Sequence, residues 1–276
     1  PASLIMLPPG TLVAGRFRVS SVLGSGGAGT VYKAIQEPLD RPVALKMLRS
    51  DLSETESVRR RFVREARAVA SLSHPNIAMV LDFGTAEDGQ LYLAIEFVEG
   101  LTLAELFTQA VPTFSEIRQV YEQLLGGLAH AHGRGVVHRD IKPGNVLLTS
   151  DSDGRPFAKI VDFGIATFEG DAPENLAPGR VIGTPLFMAP EQAAGVPLLT
   201  AAVDVYTVGL MLYWTVTGRH AFLRATPEEV LHAQRFEEPP PIVPRPGLTI
   251  PDDLPALILE ALRKDPAERP ASAAVF

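Results

Sequence analysis

Residues 24 to 35 read Gly24-Ser25-Gly26-Gly27-Ala28-Gly29-Thr30-Val31-Tyr32-Lys33-Ala34-Ile35. The glycines match the pattern G-x-G-x-x-G, which is a weak signal because two unrelated backbones use it. In a dinucleotide-binding fold the last glycine begins a helix whose N-terminus binds pyrophosphate. Here Gly29 is followed by β-branched and aromatic residues without a helix-capping signal, which favours a strand. The pattern therefore predicts a hairpin with a glycine-rich turn.

Two interpretations of this hairpin remain open. Its backbone N–H groups could lie over the phosphates of ATP, or it could be a flexible connection that binds nothing. Lys46 favours the first interpretation, because it follows Val43-Ala44-Leu45 on the next predicted strand, and a buried ammonium group needs a counter-ion or a phosphate. Glu65, in Arg64-Glu65-Ala66 on the predicted helix that follows, is the candidate partner of Lys46.

Around this hairpin, short apolar runs broken by glycine and proline predict strands. The predicted strands cover residues 16–23, 30–35, 43–48, 78–83 and 91–97. Phe62, Ala66 and Val69 are spaced for one apolar face, which predicts a helix over residues 53–72. After Gly100 the periodicity is mainly helical. We therefore predict an α+β chain in which an antiparallel five-stranded sheet with one helix precedes a larger, mainly helical part.

Composition excludes several kinds of chemistry. A net charge of −7 and a pI near 5.4 argue against a nucleic-acid binder, because neutralising phosphates needs a basic surface. The chain has no cysteine, which excludes disulfides, thiolate catalysis and Cys-ligated zinc. No apolar run approaches the roughly 18 residues that cross a bilayer. We expect a cytoplasmic domain, with any membrane tether outside this segment.

Further motifs follow in a fixed order after the helical region begins. They are His138-Arg139-Asp140-Ile141-Lys142-Pro143-Gly144-Asn145, Asp162-Phe163-Gly164, Gly183-Thr184-Pro185 and Ala189-Pro190-Glu191. Together with the glycine hairpin and Lys46, this ordered set resembles the eukaryote-type protein kinase superfamily, particularly the bacterial serine/threonine kinases. The resemblance covers residues 15–276. It implies a bilobal protein-kinase-like fold, with an N-terminal extension at 1–14, an N-lobe at 15–97 and a C-lobe at 98–276 whose last helix is truncated.

The resemblance implies transfer of the γ-phosphoryl group of ATP to Ser or Thr hydroxyls of protein substrates, and it assigns the catalytic roles. Asp140 would accept the proton of the substrate hydroxyl, and Lys142 would place a positive charge on the transferring group, as in Ser/Thr kinases. Lys46 and Glu65 would form an ion pair at the phosphates. The metal ligands would be Asn145 and Asp162, binding Mg²⁺ or alternatively Mn²⁺ through oxygen atoms.

The resemblance also implies nucleotide contacts and two architectural contacts. The residues expected to bind ATP are Leu23, Gly24, Ser25, Gly26, Gly27, Ala28, Gly29, Val31, Ala44, Lys46, Ile95, Glu96, Val98 and Leu147. Glu191 would pair with Arg269, and Asp204 would anchor the Asp140 loop through hydrogen bonds to its backbone. His138 would serve packing rather than acid–base chemistry.

One segment departs from the family's pattern. Kinases of this type commonly use the arginine before the catalytic Asp, here Arg139, to hold a phosphorylated residue of the activation loop. That loop corresponds to residues 162–191, and residues 168–183 contain no Ser, Thr or Tyr. Asp171 and Glu174 supply negative charge there. We predict activity that does not require phosphorylation of this interval; activity that tracked phosphate on a threonine of the loop would contradict it.

Two rival functions differ from this prediction in recognisable ways. An ATP-binding pseudokinase usually lacks one of the residues that correspond to Lys46, Asp140 and Asp162, and all three are present. A small-molecule phosphotransferase of similar fold generally lacks the peptide platform that residues 183–191 would form. The sequence does not indicate an oligomeric state, a physiological substrate or an activating signal.

Overall fold

The structure, a computed structural model, describes residues 6–27, 29–49, 56–150, 153–164 and 185–276. The chain divides into two compact units. The first unit comprises Pro1–Ser73 and Ala78–Val98, and the second comprises His74–Ile77 and Glu99–Phe276. The boundaries expected from the sequence, at residues 15 and 98, stay predictions.

The first unit is an antiparallel sheet with one helix. Its strands are β1 (Leu12–Val13), β2 (Phe17–Gly26), β3 (Gly29–Gln36), β4 (Arg41–Leu48), β5 (Val80–Thr85) and β6 (Leu91–Glu96). They form a six-stranded sheet in the order β1-β2-β3-β4-β6-β5, in which all neighbours are antiparallel. The expected count of five strands was therefore one too low, because β1 has 2 residues and is too short to show alternation.

One face of this sheet carries an apolar core. Val43, Leu45 and Met47 of β4 are buried in it together with Phe17 of β2 and Tyr92 of β6. Because successive side chains of a strand point to opposite faces, the residues that alternate with them on β4 lie on the other face. Helix α1 (Glu56–Ala70) buries the expected apolar residues, and its Phe62 ring lies edge-on to Phe83 of β5 at 6.3 Å.

The second unit is mainly helical. Its elements are β7 (Leu101–Thr102), α2 (Leu103–Gln109), α3 (Phe114–His132), β8 (Val146–Ser150), β9 (Pro156–Ile160), α4 (Pro190–Ala193), α5 (Ala202–Thr217), α6 (Pro227–Phe236) and α7 (Leu254–Ala261). Short 3-10 turns cover Pro143–Asn145, Pro185–Phe187 and Pro266–Glu268. Strands β7, β8 and β9 form a small sheet that the sequence patterns did not predict. The predicted α+β fold, with an antiparallel sheet before a helical part, is confirmed.

Helix α5 is the buried centre of the second unit. Trp214 is the one residue between Ala202 and Thr217 that is not buried, so the helix is apolar on all sides and Asp204 in its first turn is enclosed. The helix ends at Gly218, whose φ of 72° is the left-handed conformation that glycine adopts without strain. Among the described residues, no helix combines the length and the apolarity needed to cross a membrane.

Candidate active site

The run from His138 to Asn145 connects helix α3 to strand β8 and brings several polar side chains together. The Nζ atom of Lys142 donates to Oδ2 of Asp140 at 2.8 Å. The Nδ2 atom of Asn145 donates to the backbone oxygen of Asp140 at 2.7 Å and lies 3.3 Å from the same Oδ2 atom. The Asp140 carboxylate is partly exposed, at 24% of its side-chain area, so it is held in place and still accessible to a substrate.

The backbone of this loop is fixed by a buried carboxylate from helix α5. Asp204 has no solvent exposure, and its oxygens accept from the N–H groups of His138 at 2.8 Å and Arg139 at 2.9 Å. The Nε2 atom of His132 lies 2.8 Å from Oδ2 of Asp204. Hydrogen bonds to a buried charge are stronger than neutral ones. The expected anchoring of the Asp140 loop by Asp204 is confirmed.

His138 is part of the packing beneath the Asp140 loop. Its ring is fully buried and lies 4.5 Å from the ring of Phe163. Burial lowers the pKa of His138 below its ordinary value, which keeps the imidazole neutral near neutral pH. The Nδ1 atom accepts from the N–H of Asp140 at 3.3 Å. These contacts agree with the packing role expected for His138.

The carbonyl of Arg139 has a partner from helix α4. Arg139 has a φ of 66°, a left-handed conformation that a non-glycine residue adopts only when its surroundings hold it. The Nε2 atom of Gln192 donates to this carbonyl at 2.7 Å, and its Oε1 atom accepts from the N–H of Ala189 at 3.1 Å. The sequence patterns missed Gln192, because a glutamine next to Glu191 carries no spacing signal.

The two residues expected to hold a metal ion lie at one end of the β8–β9 pair. Val146 pairs with Ile160, and the N–H of Val161 donates to the carbonyl of Asn145 at 2.9 Å. Asn145 and Asp162 are thus brought together by backbone bonds. The amide nitrogen of Asn145 is used on Asp140, which leaves its amide oxygen for other partners. An amide oxygen and a carboxylate are the hard donors that Mg²⁺ prefers.

The glycine-rich segment forms the predicted hairpin. Gly24 pairs with Val31 and Gly26 with Gly29 in the β2–β3 ladder. At Gly29 an added Cβ would clash with the carbonyl oxygen of Met47, so glycine is required there by the close approach of β4. The chain continues from Gly29 as strand β3, which excludes the helix that a dinucleotide-binding fold would need. Ala28 lies outside the described residues.

Several residues expected at the nucleotide share the face of the sheet opposite the apolar core. Lys46 pairs with Val31 of β3, and Ala44 pairs with Ile95 of β6. These four residues alternate along their strands with residues whose side chains are buried in the apolar core. The N–H of Glu96 donates to the carbonyl of Met79 at 2.8 Å, so a contact from Glu96 to adenine would have to come from its carbonyl group. The expected ion pair between Lys46 and Glu65 stays a prediction.

The ion pair expected between Glu191 and Arg269 is present. The guanidinium group of Arg269 forms two parallel bonds to the carboxylate of Glu191, at 2.7 Å and 2.9 Å. Arg269 also donates to the carbonyl of Ala202 at 2.9 Å, which ties α4 to the start of α5. Of the remaining predicted residues, Leu147 lies in β8 and Val98 follows β6. Residues 165–184, which include Asp171 and Glu174, lie outside the described part of the chain.

Comparisons with known proteins agree with this geometry. A family model described as Protein kinase domain matches residues 17–276. The chain is 41% identical over 272 residues to the serine/threonine-protein kinase pkn3 of Myxococcus xanthus, covering 97% of this chain and 50% of the relative. It is 37% identical over 261 residues to the serine/threonine-protein kinase PrkC of Bacillus subtilis (strain 168), covering 94% of this chain and 39% of the relative. The chain thus spans about half the length of these relatives or less.

A solved structure shares the fold. The crystal structure of the Mycobacterium tuberculosis PknI kinase domain has a TM-score of 0.69 and 27% sequence identity, and the match covers 97% of this chain and 96% of that chain. The Asp140 loop and its anchor, the glycine hairpin and the match over residues 17–276 therefore lead to one conclusion. The chain belongs to the protein kinase domain family.

Proposed function

We propose that this domain transfers the γ-phosphoryl group of ATP to Ser or Thr hydroxyls of protein substrates, with Asp140 as the group that orients and deprotonates the hydroxyl. The observation that carries the proposal is the arrangement at Asp140, whose carboxylate is held by Lys142 at 2.8 Å in a loop anchored by buried Asp204. Phosphoryl transfer depends mainly on positioning and charge neutralisation. A fixed, partly exposed carboxylate next to a cation fits both requirements.

In the proposed mechanism the residues of the loop divide the work. Asp140 accepts a hydrogen bond from the substrate hydroxyl, which aligns the oxygen. It takes the proton of this hydroxyl as the bond from the oxygen to the γ-phosphorus forms and the bond from the γ-phosphorus to the bridging oxygen breaks, which releases ADP. Lys142 neutralises negative charge on the transferring group, and its present bond to Asp140 keeps it within reach of that group. Asn145 holds the carbonyl of Asp140 and fixes the direction of its side chain.

The residues present also fit a divalent cation. We propose that Asn145 and Asp162 hold it, as Mg²⁺ or alternatively Mn²⁺, because they offer hard oxygen donors at one end of the β8–β9 pair. Such an ion, when bound, neutralises charge on the phosphate oxygens of ATP. The glycine hairpin, Lys46 and the face of the sheet that carries Val31, Ala44 and Ile95 are proposed to hold the nucleotide. Lys46 is proposed to contact its phosphates and to pair with Glu65.

The test is incubation of the domain with labelled ATP and a generic protein such as myelin basic protein. We expect label on serine and threonine of the protein, and we expect Asp140→Asn to abolish transfer while ATP binding is retained. Asp153→Asn is a matched control, because Asp153 is exposed and pairs with exposed Arg155 at 3.2 Å, away from the loop of Asp140. Its replacement should leave transfer unchanged.

The possible outcomes separate the rival functions. ATP binding without label on any protein would favour a pseudokinase, and label on small hydroxyl compounds alone would favour a small-molecule phosphotransferase. Transfer that survives in Asp140→Asn would contradict the role given to Asp140.

A further inference from the structure

The turn Pro185–Phe187 has three consecutive carbonyl groups that accept hydrogen bonds from buried side chains. The Nε2 atom of Gln234, in α6, donates to the carbonyls of Pro185 and Leu186, both at 3.2 Å. The Oγ1 atom of Thr207, in α5, donates to the carbonyl of Phe187 at 3.0 Å. All three carbonyls of this short turn are therefore held by side chains from two different helices.

Gln234 is itself held in one orientation. It has no solvent exposure, and its Oε1 atom accepts from the hydroxyl of Tyr206 at 2.8 Å. Its backbone carbonyl accepts from Nζ of Lys264 at 2.7 Å, and the same ammonium lies 4.1 Å from the centre of the Phe222 ring. The hydroxyl of Tyr206 also accepts from Lys264 at 3.2 Å. Because the carbonyls of the turn can only accept, the Gln234 nitrogen must face the turn, and its oxygen faces the hydroxyl of Tyr206.

The same segment is connected to the catalytic loop at its other end. The N–H of Met188 donates to the carbonyl of Pro185 at 3.2 Å, which closes the turn. The N–H of Ala189 then donates to Oε1 of Gln192 at 3.1 Å, and Nε2 of Gln192 donates to the carbonyl of Arg139 at 2.7 Å. Arg139 directly precedes Asp140. The segment from Pro185 to Ala189 is therefore held by α5 and α6 on one side and joined to the loop of Asp140 on the other.

We infer that Gln234 is a positioning residue for the protein substrate, acting through the turn Pro185–Phe187. This inference rests on the proposed function, since it concerns how a polypeptide reaches Asp140. An extended chain advances about 3.3 Å per residue, so residues flanking a bound Ser or Thr lie within reach of a segment joined to Arg139 through one glutamine. None of the residues proposed to bind ATP is a member of this network. Gln234 should therefore affect the use of protein substrate and spare the use of ATP.

Gln234→Leu tests the inference, because it puts an apolar side chain of similar size in place of the amide and removes both donated bonds. We expect kcat/KM for the protein substrate to fall about tenfold, which corresponds to about 1.4 kcal/mol, while KM for ATP stays within about twofold of that of the unaltered domain. Thr207→Val removes the bond to Phe187, together with the contact of the same hydroxyl to the carbonyl of Val203 at 3.1 Å, with little change in volume. We expect a smaller loss in the same direction.

Gln119→Leu is the matched control. Gln119 lies on α3, and its Nε2 atom donates to the carbonyl of Pro156 at 3.0 Å, a bond of the same kind in the same unit that does not involve the turn. We expect Gln119→Leu to lower the stability of the domain without changing either kinetic constant. Melting curves of all variants show whether a kinetic change follows from unfolding.

Gln234→Glu adds a second measurement, the pH dependence of protein phosphorylation, which should not change if Gln234 has a purely structural role. A protonated glutamic acid can donate one bond to the carbonyls of the turn, whereas its carboxylate can donate none. The charged and titratable groups around this position are Lys264, Tyr206 and, over the Tyr206 ring at 4.7 Å, Arg269. The carboxylates that act electrostatically on Tyr206 or Lys264 are those of Glu191, Glu237 and Glu238. We expect protein phosphorylation by Gln234→Glu, relative to the unaltered domain, to fall as the pH rises, and Gln119→Glu to show no such trend.

Two results would overturn the inference while leaving the proposed function intact. One is an active unaltered domain whose Gln234→Leu variant has the same kcat/KM for protein. The other is a variant in which the constants for ATP and for protein change by the same factor. Failure of the proposed function would appear differently, as absence of transfer to protein by the unaltered domain, and the inference would fall with it.

Discussion

Replacing Asp204 with asparagine should damage the catalytic loop more than any change of similar size elsewhere in the second unit. The carboxylate accepts bonds from His138 and His132 at one oxygen and from Arg139 at the other. In Asp204→Asn the amide oxygen can serve only one of these two sides. If it serves His138 and His132, the amide nitrogen faces the N–H of Arg139, and two donors meet without an acceptor.

The expected magnitude follows from these contacts. A hydrogen bond to a charged group contributes about 1.5–3 kcal/mol, and a buried donor left without a partner costs about 1–3 kcal/mol. We expect the free energy of unfolding to fall by about 3 kcal/mol, which is a large share of the stability of an ordinary domain. Because Arg139 precedes Asp140, the same loosening should lower kcat, by up to about 160-fold if the whole energy is lost in the transition state.

Denaturant unfolding and steady-state kinetics on the purified domain measure both effects. Asp153→Asn is again the control, because the exposed ion pair of Asp153 and Arg155 should contribute little to the free energy of unfolding. We expect KM for ATP to change less than kcat in Asp204→Asn. A variant whose stability and kcat both match those of the unaltered domain would refute the role of Asp204 as the anchor of the loop.

Three further experimental outcomes can be predicted from single residues. Gly29→Ala should destabilise the first unit by about 1–3 kcal/mol, as overpacking does, because the new Cβ would clash with the carbonyl of Met47, whereas Gly24→Ala meets open space and should melt like the unaltered domain. Burial lowers the pKa of His138 below its ordinary value of 6.5, so the folded state binds fewer protons than the unfolded state. Its contribution to stability is then complete above about pH 6.5 and is lost as the pH falls; unfolding free energies that rise between pH 7 and pH 5 would contradict this. Burial also lowers the pKa of Lys264 to about 8, so the chemical shift of its ε-carbon should titrate near pH 8 in the folded domain, and a midpoint near 10.5 would show that the ammonium is not desolvated.

The strands and helices around the glycine hairpin could be predicted from local chemistry. The β-branched and aromatic residues after Gly29 indicated strand β3, and the spacing of Phe62, Ala66 and Val69 indicated helix α1. Both patterns record which side of an element is buried, and the chain carries that information within a few residues. Strand β1 and the sheet of β7, β8 and β9 were missed because elements of 2 to 5 residues are too short to display a period.

The sequence alone determined which residues carry charge and in which order they follow one another. The ordered motifs, through the resemblance to protein kinases, singled out Asp140, Lys142 and Asn145, and the same resemblance supplied Asp204 and the pair of Glu191 with Arg269. Only the tertiary structure decided how these residues are held. Asp204 lies 64 residues from Asp140 in the numbering, and no local pattern indicates that its oxygens accept from the loop.

Two glutamines show most clearly what the sequence patterns could not predict. Gln192 and Gln234 have no charge, no motif and no period, so nothing in the sequence separated them from the other glutamines of the chain. Their roles arise because folding places an amide, which is both donor and acceptor, between backbone groups that would otherwise be buried without partners. A hydrogen bond between distant residues depends on distance and direction in three dimensions, and the order of residues along a chain does not specify either.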